Sequence, residues 1–513
     1  MAMSKPATAS LFIRATFLVC FCTAQLLDID TDKPAFHIPR HFVSLSSSPK
    51  TIIVHNSKML RRMINSEVFQ SLIRGLSPAY WRLGGREALL VTFANQSDDC
   101  PPPHYGSENS SDGDTNSVEA TKRKIPLCLT STIFDELYRL TMTTSNLLLF
   151  DLNDRVRFGD GSWDYRNVRK LVDYVMEKRY NVSWQLGNEP SSYFHQFNIV
   201  VEPEQLVQDY KTLRKLVGVK QIVVGPEMVD IDPHRYLDDE LSRQKYFQRW
   251  EVAGGGNFVN ATSWHFYYLH RPPNESDMYS SRVLDELLIA INTTESYSTG
   301  DSVDYWLTET GNVIGKHAIA KFTDSYLAGF MWLHKLGIAS RKGHTVVCHE
   351  TLITFSRGLL DPSFDPQVTY WLSYLFKRLV GTGSLEVKGQ LQLNRQVHTF
   401  AFCTNAADVY VKRSYVPSDV TLLVINIQQS IEATISLPSR FMHNMVDVYH
   451  LTPADNNLTS TSIMLNGKKM QLGHNHQLPL LTPIEQAGSK VIRLPPLTYG
   501  FYVIRNATAS GCL

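Results

Sequence analysis

The sequence predicts an α/β protein, a (β/α)8 TIM barrel followed by a C-terminal β-sandwich domain, on three observations. Eight short runs rich in β-branched and aromatic residues fall between positions 41 and 349. Helix-like stretches, with apolar residues near a 3.6-residue period, lie between them, and from about position 385 the pattern becomes strand alternation without strong helices. Alternating β and α units close most economically as a barrel, whose strand C-terminal ends carry the active site. A chain of 513 residues suits one such domain plus a smaller one.

Taken in order, residues 1–24 read as a signal peptide. Lys5 and Arg14 precede an uncharged stretch, Ala15 to Ala24, that ends in Cys22-Thr23-Ala24, a small-residue cleavage pattern. The stretch is too short to span a bilayer, and no later run reaches the roughly 18 apolar residues a span needs. A secreted or lysosomal product is expected. Residues 25–94 are expected to contribute the first barrel strands, at 41–47 and 78–83. Residues 95–124 read differently: six acidic residues, Pro101 to Pro103 and many Ser and Asn, closed by Lys122-Arg123-Lys124. Such a segment has too little apolar surface to offset the entropy of ordering, and both an excised linker and a solvated loop fit it. Residues 125–384 complete the barrel, with strands at 146–152, 182–188, 221–226, 262–268, 304–309 and 344–349 and helices at 163–179, 203–217 and 323–341. Residues 385–513 form the sandwich, with strands at 397–403, 419–427, 431–437, 444–450, 490–494 and 500–505.

Charge is nearly balanced, 50 Lys and Arg against 49 Asp and Glu, so nothing global points to nucleic acid, and affinity for an anionic substrate must be local. Without the signal, five cysteines remain, enough for two bridges and one thiol in an oxidising compartment. Of the possible connectivities, Cys403 with Cys512 and Cys100 with Cys128 is the expected one, leaving Cys348 inside an apolar strand. Sequons at Asn95, Asn109, Asn181, Asn260, Asn274, Asn292, Asn457 and Asn506 agree with a glycosylated secretory product.

Two glutamates carry the chemistry. Glu189 follows the fourth strand in Leu186-Gly187-Asn188-Glu189-Pro190, and Glu309 ends the seventh in Trp306-Leu307-Thr308-Glu309. Glycosidic cleavage needs one carboxyl to protonate the leaving oxygen and a second to attack the sugar carbon, and strand ends of one barrel bring such a pair together. Glu189 is the expected acid and Glu309 the expected nucleophile, with Asn188 placed for a sugar 2-hydroxyl. His265 and Tyr267, two residues apart on the sixth strand, face the same side and can hold the sugar and orient the nucleophile. A polar turn or a surface glutamate is the plainer explanation of each residue alone; the matched pair favours catalysis. Asp151, Glu227 and His265 lack tight metal-ligand spacing, and Gly254-Gly255-Gly256 does not open a helix after a strand, so no metal and no cofactor is expected.

Further segments carry a resemblance: Gly75-Leu76-Ser77-Pro78-Ala79-Tyr80, Leu186 to Pro190, Ser263-Trp264-His265 with Tyr267-Tyr268, Ala328 to Leu333 with Lys335-Leu336-Gly337, Tyr370 to Ser373 with Leu375-Phe376-Lys377, Cys403-Thr404-Asn405, and Gly500 to Asn506 before Cys512. From about residue 40 onward the chain resembles the heparanase family of retaining endo-β-glucuronidases. The resemblance implies a heparan sulfate substrate, Glu189 as acid, Glu309 as nucleophile, the Cys403–Cys512 bridge, and removal of the linker to leave a monomer or a processed heterodimer of two fragments. Membrane association would be peripheral at most, through proteoglycans. The chain also departs from the family. Residues 128–145 hold only Arg139 as a basic residue, Glu227 to Asp232 is acidic, and Arg86 stands after Gly84-Gly85 where a small residue is expected. The glycine-rich loop that meets a uronate carboxylate reduces here to Gly315 within Gly311 to His317, with Lys316, Arg271 or His317 as substitute partners. Two rivals therefore stand beside heparan sulfate cleavage: the same reaction on hyaluronan or another low-sulfate glycan, and a non-catalytic glycan-binding paralogue.

Overall fold

Eight parallel strands, Val43–Ser47 (β1), Tyr80–Leu83 (β2), Leu147–Leu152 (β3), Val182–Leu186 (β4), Val223–Met228 (β5), Ala261–Leu269 (β6), Asp304–Val313 (β7) and His344–His349 (β8), pair in chain order until β8 returns to β1 and closes a barrel. The computed structural model describes residues 25–96, 126–229, 243–298, 304–388, 395–406 and 408–513. The expected signal peptide, Asn109, Cys100 and residues 97–124 of the expected linker lie outside these.

Alternation along the strands sorts their side chains into two sets. Outward residues such as Trp81, Leu148, Phe150, Trp184, Trp264 and Leu307 join the main apolar core under the surrounding helices. Inward residues form layers. Tyr80, Leu149, Val224, Trp306, Val346 and Cys348 pack into a small apolar cluster inside the barrel. Two positions further along their strands stand Arg82, Asp151 and Thr308, so the apolar layer supports a polar one nearer the active-site end. Strands buried on both faces read as continuous apolar runs, which is why a buried arginine in Tyr80-Trp81-Arg82-Leu83 is conspicuous.

Three of the helices begin at a hydroxyl cap. Ser48 Oγ accepts from Lys50 N ahead of Pro49–Asn65, Ser66 Oγ from Phe69 N ahead of Glu67–Gly75, and Thr130 Oγ1 from Ile133 N ahead of Ser131–Thr143. The helix expected at 323–341 is divided, with a short turn at Ala320–Thr323 and the long helix at Ala328–Arg341. That helix is buried between the barrel and the C-terminal sheet. Gly329 and Gly337 permit the close approach, since a Cβ would lie 2.2 Å from Tyr499 Oη and 2.4 Å from Phe400.

The C-terminal domain begins at Val380–Leu385, slightly before the expected boundary, and its main sheet includes Val397–Thr404, Val420–Asn426, Met445–Pro453 and Thr498–Ile504. One face packs on the barrel helices through Phe400, Leu423, Phe501 and Val503. The other packs on a three-stranded sheet through Val420, Leu422, Ile435, Ile492 and Ile504. The segment 25–94, expected to contribute the first barrel strands, does so at β1 and β2 and also places strands elsewhere. Gln25–Leu26 pairs with Ala433–Ser436, Asp28–Ile29 with Val387–Lys388, and Phe36–His37 with Val380–Leu385, so the first described residues lie in the C-terminal domain and the chain enters the barrel at Val43. Cys403 is bonded to Cys512, and Cys348 is a buried free thiol. Cys128 is also disulfide-bonded, while Cys100, its expected partner, is outside the described residues.

Candidate active site

Glu189 and Glu309 reach the same point from opposite sides of the barrel mouth. After β4, Gly187 turns the chain at φ +74°, where a Cβ would stand 2.5 Å from Tyr193 Oη and 2.7 Å from Asp154. The turn is fixed by Asn188 N–H donating to Tyr193 Oη at 3.0 Å and by that hydroxyl donating to Asp154 at 2.6 Å. Glu189 adopts φ +55° and donates its backbone N–H to Glu227 O at 2.9 Å, and Pro190 opens a short 3-10 turn. Its side chain is 20% exposed.

Glu309 does not end its strand as expected, because β7 runs on to Val313. A register shift lies there: Trp264 pairs with Leu307 and His265 with Glu309, skipping Thr308. Such an irregularity re-aims side chains. Thr308 donates to Glu227 at 2.8 Å inside the barrel, and Glu309, 15% exposed, faces the opening. Tyr267 Oη donates to Glu309 Oε1 at 2.9 Å, and Arg82 Nη1 donates to Oε2 at 3.1 Å.

His265 lies between the two carboxylates, its ring nitrogens 3.1 Å from Glu189 Oε1 and 3.0 Å from Glu227 Oε2. Burial opposes its charge, but Glu309, Glu189 and Glu227 outweigh burial and raise its pKa to about 10, so it is an imidazolium at neutral pH. One side-chain oxygen or ring nitrogen from each of Glu189, His265 and Glu309 lies within 4.8 Å of the others. A cation bound to a ring nitrogen would have to displace that nitrogen's proton and hydrogen bond.

Beneath the pair, Arg82 organises the polar layer. The fully buried guanidinium donates to Glu227 at 2.7 Å, Asn188 Oδ1 at 2.9 Å, Gln185 Oε1 at 2.9 Å and Asp151 at 3.5 Å besides Glu309. Gly84 leaves it room, since a Cβ there would lie 2.5 Å from the guanidinium carbon. Burial resists ionisation of Glu309, yet His265, Arg82 and the Tyr267 hydrogen bond hold its pKa below the usual value. Glu227 is treated likewise, burial being outweighed by Arg82 and His265. Asp151 is driven the other way, burial raising its pKa well above the usual carboxylate range. Two cations, Arg82 and His265, thus face Glu227 and Glu309 and favour their ionised forms.

The structure therefore brings together Glu189, Glu309, Asn188, His265 and Tyr267. Of the expected carboxylate partners, Arg271 forks onto Asp277 at 2.8 and 2.7 Å, and Lys316 is exposed on the Gly315–His317 turn. Gly315 instead abuts Arg357, where a Cβ would lie 2.7 Å from Nη2. Sequence reasoning missed Arg82, Arg357 and Glu350, and read Glu227 as the start of an acidic stretch after the fifth strand, whereas it lies within β5, buried beside Arg82. Arg82 had a signal, a charge within an apolar strand; Arg357 and Glu350 had none. Of the expected glycan sites, Asn95, Asn181, Asn260, Asn274, Asn292, Asn457 and Asn506 are exposed.

Residues 52–337 match glycosyl hydrolase family 79, N-terminal domain. The chain is 30% identical to a heparanase of Mus musculus, covering 96% of this chain and 95% of that one. It is 29% identical to the inactive heparanase-2 of Homo sapiens, covering 96% and 90%. Among solved structures, a 4-O-α-L-rhamnosyl-β-D-glucuronidase from Fusarium oxysporum 12S shares the fold with a TM-score of 0.66 at 12% identity, over 93% of this chain and all of that one.

Proposed function

The chain belongs to glycosyl hydrolase family 79, and from that premise we propose that it is a heparanase-like endo-β-glucuronidase that retains anomeric configuration. The observation that carries this reading is the facing pair: Glu189 and Glu309 offer oxygens within 4.8 Å of each other. Retaining enzymes hold their carboxyls roughly 5–5.5 Å apart, whereas inverting ones leave about 6.5–9.5 Å for a water. Glu309, ionised and held by Arg82 and Tyr267, attacks the anomeric carbon. Glu189 protonates the leaving glycosidic oxygen and then takes a proton from the water that releases the sugar. The Asn188 oxygen is engaged by Arg82, so its amide N–H2 is the group to meet a sugar hydroxyl.

Heparan sulfate is the proposed substrate. One observation favours a less sulfated polymer such as hyaluronan: residues 128–145 supply only Arg139 as a basic side chain. The non-catalytic reading has less support, because an acid, a nucleophile and the cations that ionise the nucleophile are all assembled. Secretion or lysosomal delivery, glycans on the exposed sequons, and excision of 95–124 belong to the same proposal. Val91–Ala94 and Leu127–Thr130 pair in parallel on either side of that segment, and β1 and β2 are locked in the closed barrel, so the two fragments would stay together after cutting.

The test is chain-length analysis of heparan sulfate and hyaluronan incubated with the protein at about pH 5, with Glu309→Gln as blank. Shortening of heparan sulfate absent from the blank supports the proposal, and shortening of hyaluronan alone reassigns the polymer. If neither chain shortens, even after the linker is removed, the hydrolase reading fails.

A further inference from the structure

One cation at the mouth of the site makes no hydrogen bond to either catalytic carboxylate, although its charge helps to keep the Glu309 pKa low. Arg357, on the loop after β8, adopts φ +62°, a region that non-glycine residues rarely occupy. Two bonds hold it there: its backbone N–H donates to Asp324, and Nη1 donates to the Glu350 carbonyl at 3.2 Å. Strain at a tethered side chain is a reason to ask what it does.

Apart from the Glu350 carbonyl and a contact with Tyr267, the guanidinium is left partly exposed. The side chain is 20% exposed, and its carboxylate neighbour Glu350 is 3.9 Å away, too far for a fork. Glu350 is itself a poor anion, because burial and the charge of Glu309 raise its pKa. Burial also works against the charge of Arg357, but Tyr267, Glu350 and Glu309 prevail, so it remains a cation. The other described arginines nearby are spent: Arg82 is buried among its acceptors, and Arg271 is paired with Asp277. Gly315 completes the feature, since any side chain there would displace the guanidinium.

We propose that Arg357 is a specificity-determining residue that pairs with the carboxylate on C5 of the sugar whose anomeric carbon meets Glu309. The proposal rests on the glycosidase reading of that site and adds the group that selects a uronate over a neutral hexose. Tyr267 links the two ends of the argument, with its hydroxyl on Glu309 and Arg357 beside it. A planar guanidinium matches a carboxylate with two parallel N–H donors, a charge-assisted contact that a neutral hydroxymethyl cannot reproduce.

The test separates binding from turnover. In a Glu189→Gln background, affinities for phenyl β-glucuronide and phenyl β-glucoside, which differ only at C5, are measured with Arg357, Arg357→Gln and Arg357→Lys, and thermal melts check that each variant folds. The expected result is a loss of about 10-fold or more for the glucuronide in Arg357→Gln, little change for the glucoside, and partial retention in Arg357→Lys. A parent that does not favour the glucuronide, or a variant that loses both ligands equally or neither, overturns the proposal. Failure of the hydrolase reading registers separately, as glucuronate polymers left uncut by the unaltered protein.

Discussion

Arg82 is the residue on which the site turns, because one buried guanidinium serves three carboxylates and the side chain of Asn188. Removing it strands charges in the barrel, so Arg82→Leu should lose about 3–5 kcal/mol of stability, read from denaturant midpoints, along with activity. Tyr267→Phe deletes one bond to Glu309. That bond lowers the Glu309 pKa, so without it the nucleophile ionises at higher pH, and the acidic limb of the kcat profile should move upward while kcat falls by about 10-fold or more. His265 links the site to folding. Its folded pKa is raised to about 10, so its stabilisation is complete below the unfolded value near 6.5 and fades as pH rises toward 10. Melting temperature should fall across that window, and less so in His265→Gln. Glu189, Glu309, His265 and Tyr267 were legible in the sequence because each sits in or just after an apolar run where a barrel strand opens. The Arg82–Glu227 pair was not, since 145 positions separate its members and only barrel closure joins them.

Among the elements, the eight strands were legible from their β-branched and aromatic runs, but their exact ends were not. The register shift at Thr308 and the extension of β7 to Val313 arise from pairing with β6, which no local pattern encodes. The N-terminal strands Gln25–Leu26, Asp28–Ile29 and Phe36–His37 escaped for the same reason: two residues each give no period, and their partners come hundreds of positions later. The turn after β4 was legible as Gly187 to Pro190, and its tolerance is narrow. Gly187→Ala would add strain at φ +74° and a contact with Tyr193, so we expect a loss of about 1–3 kcal/mol by thermal melting, with activity reduced as Asn188 and Glu189 shift.

Across the whole molecule, the first described residues and the C-terminal ones meet in one domain. Gln25 to His37 pairs into its sheets, Thr498–Ile504 lies in its main sheet, and Cys403–Cys512 closes a loop of sequence separation 109. Cross-linking so long a loop restricts the unfolded chain, so Cys512→Ser should lower stability by about 2–4 kcal/mol while leaving the distant site able to turn over at low temperature. The fold also sets the reaction's stereochemistry, because barrel closure fixes how far apart Glu189 and Glu309 stand. That consequence is open to proton NMR of the reducing sugar released in the first minutes of cleavage of a glucuronate-containing oligosaccharide. A β-anomer appearing first, before mutarotation, is the expected result for a covalent intermediate on Glu309; an α-anomer appearing first would mean that water attacks directly and that the two carboxylates do not divide the work as described.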